Sequence, residues 1–323
     1  RDRRTQVRWG LADFRHRFLR KAEAMWLPET ACNNEVLDLL IDEGMRYVIL
    51  APRQAARVRR GPETQWQEVA PGSVNTGVVY QYFHRKEPSR SIAVFFYDQQ
   101  LAGAIAFDQA LASSGRLVEG FARSQTGNGL INVATDGESY GHHFKFGDLC
   151  LAHAFEVEIP ARGLRATNYG EYLDHHPPVA EVEIEHGPDG EGSSWSCTHG
   201  VGRWIRDCGC QTDGLTDWNQ SWRGPLRAAL DFVRDEAAAY LEATRGSLFV
   251  EPWDARDEAI DLVLDPERTS EFLKRHASRN LLPEENERAL LYLEMQRNTI
   301  LMYASCGWFF NDISRLEPVQ GLK

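Results

Sequence analysis

The stretch Ala134-Thr135-Asp136-Gly137-Glu138-Ser139-Tyr140-Gly141-His142-His143 places two carboxylates, a tyrosine and two histidines directly after the apolar run Gly129-Leu130-Ile131-Asn132-Val133. A buried strand that releases polar residues into a loop is how α/β folds present reactive groups, at the C-terminal ends of their strands. An earlier segment, Ala22-Glu23-Ala24-Met25-Trp26-Leu27-Pro28-Glu29, has the same form and delivers a carboxylate beside a tryptophan. Two carboxylates on separate strand ends, in aromatic and histidine company, are the groups needed to cleave a glycosidic bond. In the retaining form of that chemistry one carboxylate attacks the anomeric carbon. A second carboxyl group, about 5–5.5 Å away, protonates the departing oxygen and later takes a proton from water. The acid needs a raised pKa, from burial or a neighbouring negative charge, and Glu138, Tyr140 and Phe144 surround Asp136 in sequence.

The elements that must hold these groups follow from apolar patterning. A short helix is expected over Gln6–Lys21, with Leu11, Phe14 and Phe18 among its apolar positions, and a strand over Ala22–Leu27. Asn33 and Asn34 offer N-cap chemistry for a helix over Glu35–Glu43, which Gly44 ends. Strands are expected at Tyr47–Leu50, Ile92–Tyr97 and Leu130–Ala134, with a polar insertion after Pro52 and a helix over about Gln99–Ser113. Alternation of strand and helix implies parallel strands with crossover helices. A further helix is expected over Lys145–Phe155. Residues 160–222 are then rich in Gly, Pro, His and Trp with little periodicity. From Trp222 the chain reads as helical, with starts at Pro225, Pro266 and Pro283 and a stop at Gly246.

The 323 residues suffice for one large domain or two ordinary ones, and 42% hydrophobic with 26% charged residues reads as globular. A net charge of -11 without a long basic stripe argues against nucleic acid as a partner, because phosphate binding needs clustered Lys and Arg. No apolar run approaches the roughly 18 residues that span a bilayer, and no apolar core of a signal peptide is present. The six cysteines, Cys32, Cys150, Cys197, Cys208, Cys210 and Cys306, show no disulfide-framework spacing and favour a reducing, cytoplasmic setting. The chain opens on Arg1 and soon enters what reads as the middle of a catalytic domain, so a fragment or processed product is expected.

Met25-Trp26-Leu27-Pro28-Glu29 followed by Asp136-Gly137-Glu138-Ser139-Tyr140-Gly141 resembles glycoside hydrolase family 57, whose signature reads D-G-E-x-[FY]-G. The resemblance implies a retaining α-glucan-active enzyme with a seven-stranded (β/α) barrel followed by a helical bundle. It implies Glu29 as nucleophile on the fourth strand and Asp136 as acid/base after the seventh. The strand count agrees, since Glu29 ends the first expected strand and Asp136 the fourth. Met302 to Asp312 resembles the family's last motif, with Trp308 keeping its aromatic residue and Gly307 standing where an aspartate is usual, while Asp312 follows nearby. The pairing of these segments also resembles a subgroup with a C-terminal domain of unknown function. Trp26, Glu138, Tyr140, His142, Trp308 and Asp312 are the residues implied to bind substrate.

The fold class expected is therefore α/β. Residues 1–157 form the C-terminal half of a (β/α)7 barrel holding its last four parallel strands, 158–222 an irregular region near the site, and 223–323 a helical bundle. The family's first two motifs would precede Arg1, so the isolated chain is expected to be inactive. The partner expected is an α-glucan or maltooligosaccharide, with no cofactor and no metal. Trp195, Trp204, Trp218 and Trp222 are candidates for lining a glucan cleft or for packing. Cys197, His199, Cys208 and Cys210 offer four soft ligands, but their spacing matches no common zinc module. A non-catalytic glucan-binding or regulatory remnant is an alternative. A metal-dependent polysaccharide deacetylase is a weaker one, because His142-His143 and His175-His176 are adjacent pairs, not ligands on one helix face.

Overall fold

The computed structural model describes residues 1–124, 129–212 and 217–323. They form two compact units, Glu23–Ser196 and, separately, Arg1–Ala22 with Cys197–Lys323. The opening helix α1 (Asp2–Phe18) belongs to the second of these.

The first unit carries a six-stranded mixed sheet. Its strands are β1 (Tyr47–Leu50), β2 (Ala55–Arg59), β3 (Gln67–Glu68), β4 (Tyr80–Phe83), β5 (Ser91–Phe96) and β6 (Ala180–Ile184), in the order β1-β5-β4-β6-β2-β3. β1 and β5 are parallel, with Tyr47 opposite Ala93 and Leu50 opposite Phe96. β5 is buried from Ile92 to Phe96, as the near-continuous apolar run of a strand covered on both faces requires. Phe95 has no exposed surface and packs among Tyr47, Tyr169 and Tyr172, with ring centroids 5.7, 4.9 and 6.4 Å away.

Helices follow the capping signals. Asn33 accepts a 3.0 Å bond from the Val36 amide at the start of α2 (Asn34–Asp42), and Gly44 takes φ 81° just past its end. Asp98 caps α3 (Gln99–Ala106) by accepting from the amides of Gln100 and Leu101. The helix ends at Ala106, short of the expected Ser113. The unit also contains α4 (Ser114–Ser124), α5 (Gly147–His153), the short α6 (Ile159–Ala161) and α7 (Tyr169–His175).

The expected set of four parallel strands is corrected. β1 and β5 stand as read, but Ala22–Leu27 makes only one parallel bridge, from Ala24 to Tyr47, before Pro28 turns the chain away. Leu130–Ala134 makes no ladder among the described residues. Its polar groups are satisfied singly: Leu130 donates to the Gly77 carbonyl at 3.1 Å and Asn132 accepts from the Asp98 amide at 2.7 Å. The Asn132 amide side chain donates to the carbonyls of Phe96 and Thr76 at 2.6 and 3.1 Å, taking positions a neighbouring strand would fill. The sheet is completed by the antiparallel pairs β4–β5, β2–β6 and β2–β3 and by the parallel pair β4–β6. β2 and β6 carry cross-strand ion pairs, Arg57 with Glu183 and Arg59 with Glu181.

The second unit is helical. After α1 come α8 (Arg223–Glu242), α9 (Pro252–Glu258), α10 (Ile260–Leu264), α11 (Thr269–His276), α12 (Pro283–Leu301) and α13 (Leu316–Leu322). Leu241, Phe249, Phe272 and Leu293 form a core joined by Trp9 of α1 and by Trp253. Trp9 donates to the Arg256 carbonyl at 3.2 Å, and Arg256 is bonded to Asp2 and Thr5. Gln296 of α12 donates to the Ala237 carbonyl of α8 at 2.8 Å. Among the described residues no helix is long and apolar enough to cross a membrane.

Phe95→Ala removes the central aromatic of the sheet unit and leaves a cavity. It should lower the unfolding free energy by about 4 kcal/mol. Urea denaturation of the variant checks this, and a change below about 1 kcal/mol would contradict the packing described.

Candidate active site

Glu29 lies in a turn, Pro28–Thr30, that the sequence pays for in backbone strain. Glu29 and Thr30 both adopt left-handed conformations, φ 59° and 47°, which cost non-glycine residues about 1–3 kcal/mol each. Thr30 is β-branched, which makes its conformation the rarer of the two. Such a turn persists only when its surroundings over-determine it, and here Gln54 does so. Gln54 is fully buried in the loop after β1. Its Oε1 accepts from the Thr30 hydroxyl at 2.8 Å and the Ala51 amide at 2.9 Å. Its Nε2 donates to the Thr30 carbonyl at 2.9 Å and to the Ser193 carbonyl and hydroxyl at 3.2 Å.

The segment 192–196 closes over the same turn. Cys32 and Ser193 exchange both backbone hydrogen bonds at 2.9 Å. Gly192, at φ 122°, makes this possible, because a Cβ there would stand 2.6 Å from the Cys32 carbonyl oxygen. The Trp195 amide donates to the Glu29 carbonyl at 3.0 Å. The Trp195 indole N–H and the Ser196 hydroxyl both donate to Glu29 Oε2, at 2.8 and 2.6 Å. Glu29 is thus fixed through its backbone and through one carboxylate oxygen.

Trp195 also assembles the aromatic surroundings. Its ring meets Trp26 edge-on at 5.3 Å and Tyr97 at 6.0 Å. Trp26 is 44% exposed, so part of its ring faces solvent. Tyr97 follows β5, and burial pushes its hydroxyl up to about 12, with Arg53 opposing and Asp136 adding to the rise.

Asp136 precedes a single 3-10 turn, Gly137–Tyr140, and its carbonyl accepts from the Ser139 amide at 3.2 Å. The side chain reaches solvent, yet the protein packed around it removes enough water to hold the carboxyl above the ordinary aspartate value. Burial is the largest cause, followed by the negative charges of Glu138 and then Glu29, with His143 acting against them. Glu29 and Asp136 therefore share one electrostatic environment. The Tyr140 hydroxyl is bonded to Thr135 Oγ1 at 2.8 Å, which braces the loop. Glu138 and His142 are exposed, and the amides of His142 and His143 both donate to the Glu138 carbonyl.

The remaining expected residues lie in the helical unit. Trp308 is 2% exposed and stacks on Trp222 at 6.1 Å within a core that includes Trp204 and Leu230. Its ring surface is taken up by packing. Asp312 accepts from the Ser314 amide and hydroxyl at 2.8 Å, which holds its carboxyl below the ordinary value. Gln54, Tyr97 and Ser196 were not singled out from sequence. The run Ser193-Ser194-Trp195-Ser196, small hydroxyl residues around a tryptophan, is the signal that marks the last of these. A groove of about 650 Å³ in the same unit is lined by Leu130, Asn132, Tyr169 and Tyr172 and includes neither Glu29 nor Asp136. Asp42, His84 and Glu87 also cluster, but Arg90 pairs with both carboxylates, and His84 Nδ1 accepts from the amides of Lys86 and Glu87. That cluster is an ordinary ion-pair and turn arrangement.

Two carboxylates held beside one sheet, one pinned and one made a weaker acid, define the class of a carboxylate-pair site on an α/β scaffold. The chain belongs to glycosyl hydrolase family 57, whose family profile matches residues 1–185. A second profile, a domain of unknown function (DUF3536), matches residues 218–323. Among solved structures, the fold is similar to that of an exo-type maltose-forming amylase from Pyrococcus sp. ST04. The TM-score is 0.73 at 13% identity, covering 99% of this chain and 57% of the amylase. It is also similar to a family 57 branching enzyme from Thermococcus kodakaraensis, with a TM-score of 0.51 at 16% identity over 94% of this chain and 60% of that one. The chain thus spans less than two thirds of the length of either neighbour. No curated protein matches it.

Gln54→Ala would strand the buried polar groups of Thr30, Ala51 and Ser193 and should lower the unfolding free energy by about 3 kcal/mol. Equilibrium unfolding in urea measures this. A loss within about 0.5 kcal/mol would show that the turn is held by other contacts.

Proposed function

We propose that this protein acts on α-glucans as a retaining hydrolase or glucanotransferase, with Glu29 as nucleophile and Asp136 as acid/base. The observation that carries this reading is the raised Asp136 carboxyl, set by burial and by the charges of Glu138 and Glu29. Membership of glycosyl hydrolase family 57 supports it, as do an amylase and a branching enzyme among proteins of similar fold.

Both hydrogen bonds to Glu29 land on Oε2, so Oε1 is the oxygen available for attack on the anomeric carbon. As the new Glu29–C1 bond forms, the C1–oxygen bond of the leaving sugar breaks, and Asp136 gives its proton to that oxygen. Asp136, now ionised, takes a proton from water or from a sugar hydroxyl. The resulting oxygen attacks C1 and releases Glu29. Two inversions retain the configuration, and the second acceptor decides between hydrolysis and transfer. The exposed part of Trp26, with Tyr140, His142 and Glu138 near the acid, offers surfaces for a sugar ring and its hydroxyls. Asp312 is assigned a substrate contact by family resemblance alone. The reading of residues 1–157 as part of a (β/α)7 barrel, 158–222 as a site-proximal region and 223–323 as a bundle belongs to the same proposal. The parallel β1–β5 pair and the Ala24–Tyr47 bridge support the first part.

Incubation of the protein, as the cell makes it, with maltooligosaccharides should give longer products for transfer or shorter ones for hydrolysis. Glu29→Gln should lower kcat by at least ~10³-fold and Asp136→Asn by ~10²–10⁴-fold. Full turnover by either variant, or no change in the sugars with the parent protein, would overturn the proposal.

Glu138→Gln removes the second-largest cause of the Asp136 rise. Asp136 acts protonated in the first step, so activity falls as pH rises through its pKa. Lowering that pKa should move the alkaline limb of kcat/KM toward acid, and an unmoved limb would contradict the role of Glu138.

A further inference from the structure

Cys197, His199, Cys208 and Cys210 lie far apart in type from any disulfide pattern, yet the helical unit brings them to one point. One ligand atom from each lies within 4.8 Å of every other. The Cys197 sulfur stands 3.8 Å from the sulfurs of Cys208 and Cys210, and Cys210 Sγ stands 3.4 Å from His199 Nδ1. None of these three cysteines is in a disulfide. A sulfur separation of 3.8 Å is far beyond the about 2.05 Å of a disulfide. It agrees with a tetrahedral metal. With zinc–sulfur bonds of about 2.3 Å and zinc–nitrogen bonds of about 2.0–2.1 Å, the tetrahedron has edges of about 3.8 Å between sulfurs and about 3.6 Å between sulfur and nitrogen.

A second observation concerns charge. Arg223, the first residue of α8, has no exposed surface. Its Nε and one terminal nitrogen have no hydrogen-bond partner among the described residues, and its other terminal nitrogen donates only to the Phe309 carbonyl at 3.3 Å. Burial disfavours its charge. The groups near enough to favour it when they carry negative charge are Cys208, Asp207 and Cys210, with Arg203 opposing. A buried guanidinium requires a nearby anion. Three thiolates and one neutral imidazole on a divalent ion carry a net charge of -1, which supplies it.

We propose that Cys197, His199, Cys208 and Cys210 form a structural zinc site. The four protein ligands fill the tetrahedron, so no position is left for water or substrate, as in sites that stabilise and do not catalyse. The bound ion would close the loop that carries Trp204 into the core with Leu230 and Trp308. The C-x-H…C-x-C spacing is uncommon, and it closes here because the 3-10 turn Gly202–Trp204 folds the chain back between the pairs. Gly202 fits against Cys208 and His199, whose Cβ atoms would lie 3.2 and 3.4 Å from a Cβ at that position.

Metal analysis of the full chain, purified without chelator from zinc-supplemented medium, should find about one zinc per chain. Replacement by Co²⁺ should give tetrahedral visible bands together with intense thiolate-to-cobalt charge transfer. Cys208→Ser and Cys210→Ser should each lose the ion, while Cys150→Ser, in the other unit, should keep it. The parent protein alone decides the matter if the variants fail to fold. Substoichiometric zinc with no thiolate–cobalt band after metal exchange would overturn the site, as would a band that survives in folded Cys208→Ser and Cys210→Ser.

Discussion

Gln54 is an uncharged side chain with no exposed surface, and the Glu29 turn rests on it. Through two side-chain atoms it joins the end of β1, the left-handed Thr30 and the backbone that leads to Trp195. The strain at Glu29 and Thr30 is local, but the bonds opposing it come from segments that meet only in the folded protein. Burial makes this effective, because water cannot replace a lost partner at Thr30 or Ser193. The carboxylate is consequently aimed before any ligand arrives. Such preorganisation is what electrostatic catalysis asks of a scaffold.

The second carboxylate is governed differently. Asp136 is not clamped by side-chain donors but placed in a field, where reduced hydration and two like charges act in the same direction. Glu29 receives hydrogen bonds and Asp136 receives repulsion. The Asp136 carboxyl is thereby held above the ordinary aspartate value, the direction that the proposed acid role requires. His143 moderates this field without reversing it.

Apolar patterning made part of this structure legible. β1, α2 and α12 lie where the runs and caps place them, because hydrophobic burial and capping are local signals. Ala22–Leu27 and Leu130–Ala134 have strand-like composition but not strand pairing: Pro28 turns the first away after one bridge, and in the second the Asn132 amide side chain bonds the Phe96 and Thr76 carbonyls. β2 and β6 are not legible because Arg57, Arg59, Glu181 and Glu183 give both strands the composition of a polar loop. Glu29 and Asp136 were visible from motif and spacing. Gln54 and Ser196 were not, because each acts across a sequence gap that only the fold closes. Trp308 has the residue type of a sugar platform, but its environment is a packed core.

The left-handed pair at Glu29 and Thr30 also restricts how this region can evolve. Glycine at position 30 would relax the backbone but delete the hydroxyl that bonds Gln54. A different residue at position 54 would leave the strained threonine without its restraint. Neither step improves the turn alone, so a relaxed version is reachable only by coordinated change at both positions. The two sites should vary together across descendants of this chain, although they are far from adjacent in sequence.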